Sequence, residues 1–226
     1  MTFWVTNFLS LSLSGTDCLD LLHRSFDSTG VYYIDPDGKG AFQVLCDQET
    51  NGGGWIVFQK RFNGVVDFDR NWAEYREGFG NFSDEFWLGN EKLHRLTSSM
   101  NHQLLVEMET FPGKKAHASY KTFTVDSESE KYRLFVDGYF GTTGGTDSLG
   151  PRHNHKMFTT KDSDNDEHSE NCAILWQGGW WFDDCFSAFL NGPYAPIVLG
   201  KSISWDKWRT EQLKRTAMKA RVRRGK

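Results

Sequence analysis

Four cysteines constrain this chain of 226 residues more than any other feature. Cys18 and Cys46 lie 28 positions apart, and Cys172 and Cys185 lie 13 apart. Of the three pairings that four cysteines allow, the two local bridges are the simplest, since any other pairing closes loops of more than about 120 residues. Each local bridge would stabilise the fold by roughly 3 kcal/mol on the chain-entropy model.

A metal site is the competing interpretation of the four cysteines, but no CxxC spacing supports it. An even count of cysteines favours an oxidising compartment and therefore a secreted, extracellular protein.

Length and composition predict one large domain with a substantial core. Aromatic residues make up 15% of the chain and glycines number 22, which is typical of a loop-rich fold packed on large rings. The net charge of −4 argues against a nucleic-acid binder. No run of 18 apolar residues occurs, so no membrane-spanning helix is expected.

The two ends of the chain differ from its middle. Residues 1–15 are apolar and serine-rich but lack a basic start, so a signal remnant and a leftover flank both stay open. We expect the globular domain to span residues 16–222, followed by a basic tail at 223–226. The basic residues from Lys214 onward predict a solvated terminus.

Local patterns predict an α+β fold. Short strands at 31–34, 42–47 and 55–61, separated by glycine-rich turns, indicate a small N-terminal sheet, clipped by a Cys18–Cys46 bridge. The middle of the chain predicts two short helices, with Asn90 capping the second, packed against an antiparallel sheet. The middle segments are helices at 71–78 and 90–98 and strands at 102–110, 116–125 and 131–140.

Residues 141–201 lack regular patterns, and such a long irregular stretch inside a domain is usually functional or disordered. The second cysteine pair and a tryptophan cluster argue against disorder, so we expect the functional site in this segment. Trp180, Trp181 and Phe189 are assigned to the core. Trp176 and Phe186 stay open between core packing and the lining of a ligand pocket.

An acidic loop at 162–170 is a candidate calcium site, because calcium binds hard oxygens spaced along a tight loop. It is not an EF-hand, since Glu167 and Ala173 stand where a glycine and a bidentate glutamate are needed. From composition alone, calcium binding and a solvated acidic loop both remain open. Its five acids are Asp162, Asp164, Asp166, Glu167 and Glu170.

Other motifs are weaker. His153, His155 and His168 are a candidate zinc set, although histidines in a polar loop are more often simply exposed. No nucleophile elbow, HExxH, P-loop or dinucleotide fingerprint occurs, so we expect no enzyme. Asn81 begins an Asn-Phe-Ser acceptor for N-glycosylation.

Several runs, in the same order along nearly the whole chain, resemble the fibrinogen C-terminal domain family, which includes fibrinogen chains, ficolins, tachylectins and angiopoietins. The resemblance implies disulfides Cys18–Cys46 and Cys172–Cys185. It also implies a small N-terminal subdomain, a central antiparallel sheet with short helices, and an irregular subdomain that holds calcium and ligand. The runs are NGGGWIVFQKRFNGVVDFDRNW at 51–72, EGFG at 77–80, EFWLGN at 85–90, NCA at 171–173, GWW at 179–181 and LNG at 190–192.

The resemblance also assigns a calcium site. Family ligands lie eight and six residues before the third cysteine, which are Asp164 and Asp166 here. The backbone carbonyls of His168 and Glu170 complete the implied set, while Asp162 would lie just outside it.

The implied ligand pocket adjoins the second disulfide and comprises Trp176, Asp184, Cys185 and Phe186. In acetyl-binding members a cis peptide precedes the last cysteine, here Asp184–Cys185, and aims a backbone N–H at the ligand. This chain has Trp176 and Phe186 where those members carry tyrosine and histidine, and residues 194–202 form a shorter loop. We therefore expect a more apolar, reshaped pocket. Leu175, Trp176 and Phe186 stand where the fibrinogen knob-binding pocket carries glutamine, aspartate and histidine, so knob binding is not supported.

The resemblance implies a calcium-dependent pattern-recognition lectin of innate immunity that binds acetylated or other microbial surface glycans. The alternative is a protein–protein module that engages a receptor, which an exposed apolar patch around Phe182, Phe186 and Ile197 would favour. Weak single-site affinity favours a homo-oligomer. No nucleic-acid or membrane partner is expected.

Overall fold

The computed structural model describes residues 14–144, 147–194, 202–206 and 212–223. Residues 1–13 of the predicted flank, Ile197 and residues 224–226 of the basic tail lie outside the described ranges. Five α-helices occur in the described ranges, none long and apolar enough to cross a membrane. They are α1 (Cys18–His23), α2 (Trp72–Glu77), α3 (Asn90–Ser99), α4 (Gly150–His153) and α5 (Cys172–Trp176).

The strands of the described residues form one large antiparallel sheet and one small one, as the α+β prediction requires. The main path of the large sheet is β1-β2-β3-β11-β6-β7-β8, with β5 attached to β3 and β4 to β5. The prediction of a separate small N-terminal sheet is therefore wrong, because β3 pairs with β11 and joins β1 and β2 to the central sheet. The small sheet pairs β9 with β10. The strands are β1 (Gly30–Ile34), β2 (Phe42–Asp47), β3 (Trp55–Arg61), β4 (Phe79–Gly80), β5 (Phe86–Trp87), β6 (His102–Thr110), β7 (Lys115–Val125), β8 (Leu134–Gly141), β9 (Ala188–Phe189), β10 (Ser204–Trp205) and β11 (Leu213–Val222).

Strand β11 corrects the prediction of a solvated basic terminus. It lies in the middle of the sheet, between β3 and β6. Met218 and Ala220 are fully buried on its core face. The charge of Lys219 is also buried, with Nζ 2.6 Å from Asp47 Oδ2 and paired with Glu107. The basic side chains alternate with apolar ones, so the segment has the period of a strand.

The helices of the middle region form where the sequence predicts them. Asn71 caps α2 by accepting the Glu74 N–H, and the Glu74 side chain accepts the Asn71 N–H in return. The prediction that Asn90 caps α3 is wrong, because Gly89 holds that position at φ 116°. Asn90 is buried instead and its Oδ1 accepts the Trp87 indole N–H at 3.0 Å.

Residues 147–194 carry little regular structure and pack around large rings. The structure confirms the core assignment, since Trp180 and Trp181 are fully buried and Phe189 is 1% exposed. The Trp181 ring lies 5.3 Å from that of Phe158, which in turn contacts Tyr75 of α2. Through this aromatic core the irregular region packs against the rest of the domain.

Candidate functional site

The two disulfides form the pairs that the resemblance implies, Cys18–Cys46 and Cys172–Cys185. Cys172 opens α5, where the Asn171 side chain caps the helix by accepting the Ala173 N–H at 2.8 Å. The second bridge therefore joins the start of a short helix to the loop around Cys185, directly after the acidic loop.

Asp164 and Asp166 lie together in the acidic loop. The Asp166 N–H donates to Asp164 Oδ1 at 3.3 Å, and Asp166 Oδ2 accepts the Cys172 N–H at 3.0 Å. Burial raises the pKa of Asp166, and the neighbouring Asp164 carboxylate adds to that effect although the Cys172 N–H opposes it. Two neighbouring carboxylates repel one another, and a bound cation would remove that repulsion.

The start of the acidic loop makes hydrogen bonds to the N-terminus of α2 and to the segment before it. Asp162 Oδ1 accepts the Trp72 N–H at 2.8 Å and the Thr160 hydroxyl at 2.7 Å. Lys161 Nζ donates to the Asp69 carbonyl at 2.7 Å. Asp162 therefore satisfies the N-terminus of α2 through its side chain.

His168 occupies the middle of the loop. Its backbone N–H donates to Asp166 Oδ1 at 3.0 Å. Its Nδ1 lies 3.1 Å from the Glu170 nitrogen and 2.9 Å from the Glu170 carbonyl oxygen, and Nε2 lies 3.6 Å from Asp184 Oδ1. The histidine thus bridges the acidic loop and the loop of the second disulfide. His168 also lies close to Cys172 and Cys185, but these three residues do not form a metal site, because the two sulfurs are bonded to one another.

A half-buried lysine links the same two loops. Lys156 Nζ lies 2.5 Å from Glu167 Oε1 and 2.8 Å from Asp183 Oδ1. Burial alone would lower the pKa of Lys156, but the two carboxylates outweigh it and raise the pKa. Sequence reasoning did not single out Lys156, since its partners lie 11 and 27 positions away.

The prediction of a cis peptide between Asp184 and Cys185 is wrong, because no described peptide bond is cis. The bond lies in a tight turn in which the Asp183 N–H donates to the Cys185 carbonyl at 2.8 Å. A trans bond avoids the roughly 3–4 kcal/mol cost of a non-proline cis bond. Within the predicted pocket set, Asp184 is exposed and Cys185 is buried.

His153 fixes the segment that follows this turn. Its ring is fully buried, with Nδ1 2.7 Å from the Trp181 carbonyl. Nε2 accepts the N–H groups of Ser187 at 3.2 Å and Ala188 at 3.1 Å, so the ring is neutral with its proton on Nδ1. Burial lowers the pKa of His153 to about 4. The expectation of an exposed histidine is wrong here, and both ring nitrogens are engaged, which excludes His153 from a zinc set.

The two aromatic candidates contact one another. Trp176 and Phe186 are half-buried, with ring centroids 4.9 Å apart at 83°. The Trp176 indole N–H is buried without a hydrogen-bond partner among the described residues. Of the three residues whose exposure would favour a receptor-binding module, Phe182 is fully buried, Phe186 is half-buried and Ile197 lies outside the described ranges.

Different apolar residues are exposed at this end of the molecule. Ile174 is 60% exposed and Leu175 is 37% exposed, both on α5. Together with Trp176 and Phe186 they form what we call the apolar end surface. The exposed acids Asp164, Glu167, Glu170 and Asp184 lie on the two adjoining loops. Sequence reasoning noted Leu175 only as a departure from the fibrinogen pocket and missed Ile174.

Comparisons with known proteins agree on the family. A model of the C-terminal globular domain of fibrinogen beta and gamma chains matches residues 14–223. Human fibroleukin is 46% identical over 182 residues, which cover 79% of this chain and 42% of fibroleukin. The chain thus spans less than half the length of this curated relative.

Solved structures share the fold. The fibrinogen-like globe domain of human ANGPTL2 superposes with a TM-score of 0.87 at 38% identity, covering 92% of this chain and 99% of that domain. Lamprey fibrin D-dimer, in complex with the peptide Gly-His-Arg-Pro-amide, superposes with a TM-score of 0.84 at 34% identity. That match covers 94% of this chain and 76% of the fibrin chain.

Proposed function

Because the chain belongs to the family of fibrinogen C-terminal globular domains, we propose that it is a secreted, non-enzymatic module that binds a protein partner. The apolar end surface carries this proposal. Ile174 and Leu175 are exposed on a helix that a disulfide and an aromatic core hold in place. Exposed apolar residues on a rigid support, rimmed by polar groups, are typical of a protein interface.

The charge around the surface defines the partner further. The adjoining acids Glu170 and Asp184 are exposed and their carboxylates lie outside the proposed calcium ligands, so the rim is negative. A complementary partner offers an apolar side chain for Ile174 and Leu175, with lysine or arginine around it. The peptide held by lamprey fibrin contains an arginine, and the ANGPTL2 domain shares this fold.

We propose calcium as the cofactor of this end of the molecule. The Asp164 and Asp166 carboxylates fit the ion, since burial and mutual repulsion raise the pKa of Asp166 without it. The backbone carbonyls of His168 and Glu170 are the proposed remaining ligands. When bound, calcium supplies positive charge that neutralises the two carboxylates.

His168 would keep the Glu170 carbonyl available to the ion. If its Nδ1 accepts the Glu170 N–H, at 3.1 Å, the carbonyl of Glu170 is free to bind the cation. The same tautomer places the ring proton on Nε2, which faces Asp184. Lys156 then holds Glu167 and Asp183 together, so the acidic loop and the disulfide loop move as one unit.

A library of random cyclic peptides displayed on phage tests this function. The biotinylated domain would be panned in calcium, and we expect enriched peptides that combine an apolar residue with lysine or arginine. Ile174→Asp should weaken an enriched peptide by about tenfold or more, corresponding to about 1.4 kcal/mol. Val31→Asp is the matched control, since Val31 is 46% exposed but lies on β1 and not on α5. If an enriched peptide binds the Ile174→Asp variant as tightly as the wild type, the proposal is contradicted.

Glycan recognition is a second candidate, favoured by the half-buried Trp176, whose indole N–H has no partner among the described residues. Aromatic rings stack on the apolar faces of sugars, and a buried donor can bind an acetyl oxygen. The ligands would be acetylated or other microbial surface glycans. Retention on N-acetylglucosamine resin, with release by both acetate and EDTA, would support this lectin function. A folded domain that calcium stabilises but the resin does not retain would reject it.

A further inference from the structure

A second concave surface lies in the N-terminal half, away from the acidic loop. It is a groove of about 730 Å³ between the outer face of β1 and the turn at 77–83. Val31 and Tyr33 of β1 are 46% and 53% exposed along one wall. Phe82 forms part of the other wall, and its ring packs edge-on against Phe86 at 5.0 Å.

Asn81 stands on the lip of this groove, and its side chain is exposed. Its Oδ1 accepts both the N–H and the hydroxyl of Ser83, each at 2.9 Å. Its backbone N–H donates to the Glu85 carbonyl at 3.1 Å, which fixes the turn. Nδ2 donates no hydrogen bond to the described residues, so it remains available for a covalent attachment.

The sequence Asn81-Phe82-Ser83 is the one Asn-x-Ser/Thr acceptor in the chain. We propose that Asn81 carries an N-linked glycan whose first N-acetylglucosamine units lie in the groove, against the rings of Tyr33 and Phe82. The donor is a polyprenyl-diphosphate oligosaccharide. The bond between Nδ2 and sugar C1 forms, the bond between C1 and the phosphate oxygen breaks, and Nδ2 loses one proton as the lipid diphosphate leaves.

The walls of the groove suit this occupant. Tyr33 and Phe82 provide aromatic surface for the apolar faces of the sugars, and Gln43, Ser83 and Lys92 provide polar groups for hydroxyl and acetamide groups. Attachment at the lip makes the contact intramolecular, so even a weak contact is populated.

Secretion from a eukaryotic host tests the attachment. Intact mass before and after treatment with peptide:N-glycosidase, which leaves aspartate at position 81, should reveal one glycan per chain. Ser83→Ala should abolish it, while Ser129→Ala, which changes an exposed serine outside any acceptor, should not. Wild-type protein that is secreted without a glycan would overturn the proposal.

The melting temperature tests the position of the sugar. Protein trimmed to a single N-acetylglucosamine should melt about 2–4 °C above fully stripped protein. The Asn81→Asp variant controls for the charge that stripping creates and should match the stripped form. Tyr33→Ser should remove the difference, whereas Phe140→Ser, at a ring 50% exposed on β8, should keep it. Equal melting temperatures, or dimerisation of the glycosylated protein through Tyr33, would show that the sugar does not occupy the groove.

Discussion

The central sheet and the C-terminal region at 147–194 are held together by different kinds of hydrogen bond. Strands β6, β7 and β11 pair backbone to backbone along nearly their whole lengths. In the C-terminal region, polar side chains join backbone segments that do not pair as strands. Examples are His153 with Ser187, Asp166 with Cys172, and Asn191, whose Nδ2 donates to the Gly179 carbonyl at 3.0 Å.

This difference has a consequence for mutation. A backbone ladder survives a change of side chain, so the sheet should lose stability in proportion to the volume removed from its core. A side chain that satisfies several backbone groups leaves them all unpaired when it is lost, at about 1–3 kcal/mol for each buried group. The C-terminal region should therefore depend on a few polar residues.

The largest effect is expected at the joint between the two regions. Arg61, at the end of β3, donates to the carbonyl of Gly192 at 2.8 Å and pairs with Glu85, whose side chain is fully buried. Glu85 Oε1 also accepts three backbone N–H groups of residues 62–64. Glu85→Gln should reduce the free energy of unfolding by about 3–5 kcal/mol, because it leaves Arg61 buried without a counter-charge.

Urea denaturation measures that loss. Glu77→Gln is the control, since the Glu77 side chain is 66% exposed, and it should change stability by less than about 0.5 kcal/mol. Similar values for the two variants would mean that Arg61–Glu85 is not the joint between the sheet and the C-terminal region.

The next effect is a pH dependence that His153 confers. Its pKa is about 4 in the folded state and near 6.5 when unfolded, so the unfolded chain binds the extra proton between those values. Stability should therefore fall by about 3 kcal/mol as the pH drops from 6.5 to 4. Urea midpoints across this range should show the slope, and His153→Gln should flatten it. The exposed His155→Gln serves as control, and a slope that follows His155 instead would refute this assignment.

A smaller change in stability should distinguish a loss of calcium binding from a loss of folding. Asp164→Asn should change the stability of the calcium-free protein by no more than about 0.5 kcal/mol, because Asp164 is exposed. It should abolish the gain that calcium gives the wild type, about 2.7 kcal/mol at a hundred times the Kd. Melting curves with calcium and with EDTA compare the two proteins, with Asp137→Asn on β8 as control. A variant that keeps the full calcium gain would exclude Asp164 as a ligand.

The smallest effect is expected on the apolar end surface. Ile174→Ser should leave the free energy of unfolding within about 0.5 kcal/mol of the wild type, since Ile174 is 60% exposed. Leu104→Ala in the fully buried core face of β6 should cost about 2–5 kcal/mol. Chemical denaturation of both variants checks the contrast, and a large loss at Ile174 would mean that it packs structurally.

Much of the fold could be predicted from the sequence because its signals are local. Strands, turns and the α2 cap lie within a few residues of one another, and the family resemblance is confirmed. Strand β11 differs from the prediction of a tail because charged residues are also typical of a solvated terminus, while Thr216, Met218 and Ala220 mark its buried face. Lys131 and Tyr132, both with positive φ, delay the start of β8 until Leu134.

The candidate site was less predictable because its contacts are distant in sequence. His153 and Ser187 are 34 positions apart, and no local pattern marks their hydrogen bond. The acidic loop was found by its composition, but the role of Asp162 as an acceptor for Trp72, 90 positions away, required the fold. The exposure of Ile174 and Leu175 depends on how α5 packs.

Hydrogen exchange with calcium and with EDTA tests the central contrast most directly. Removing calcium should accelerate exchange at the amides of Cys172, Ser187 and Ala188, because Asp166 and the loops it supports would lose the proposed cation. Amides of Val106 and Met218, in the sheet ladder, should exchange at unchanged rates. Faster exchange across the whole sheet, or no change around the second disulfide, would contradict a self-supporting sheet that carries a calcium-organised binding region.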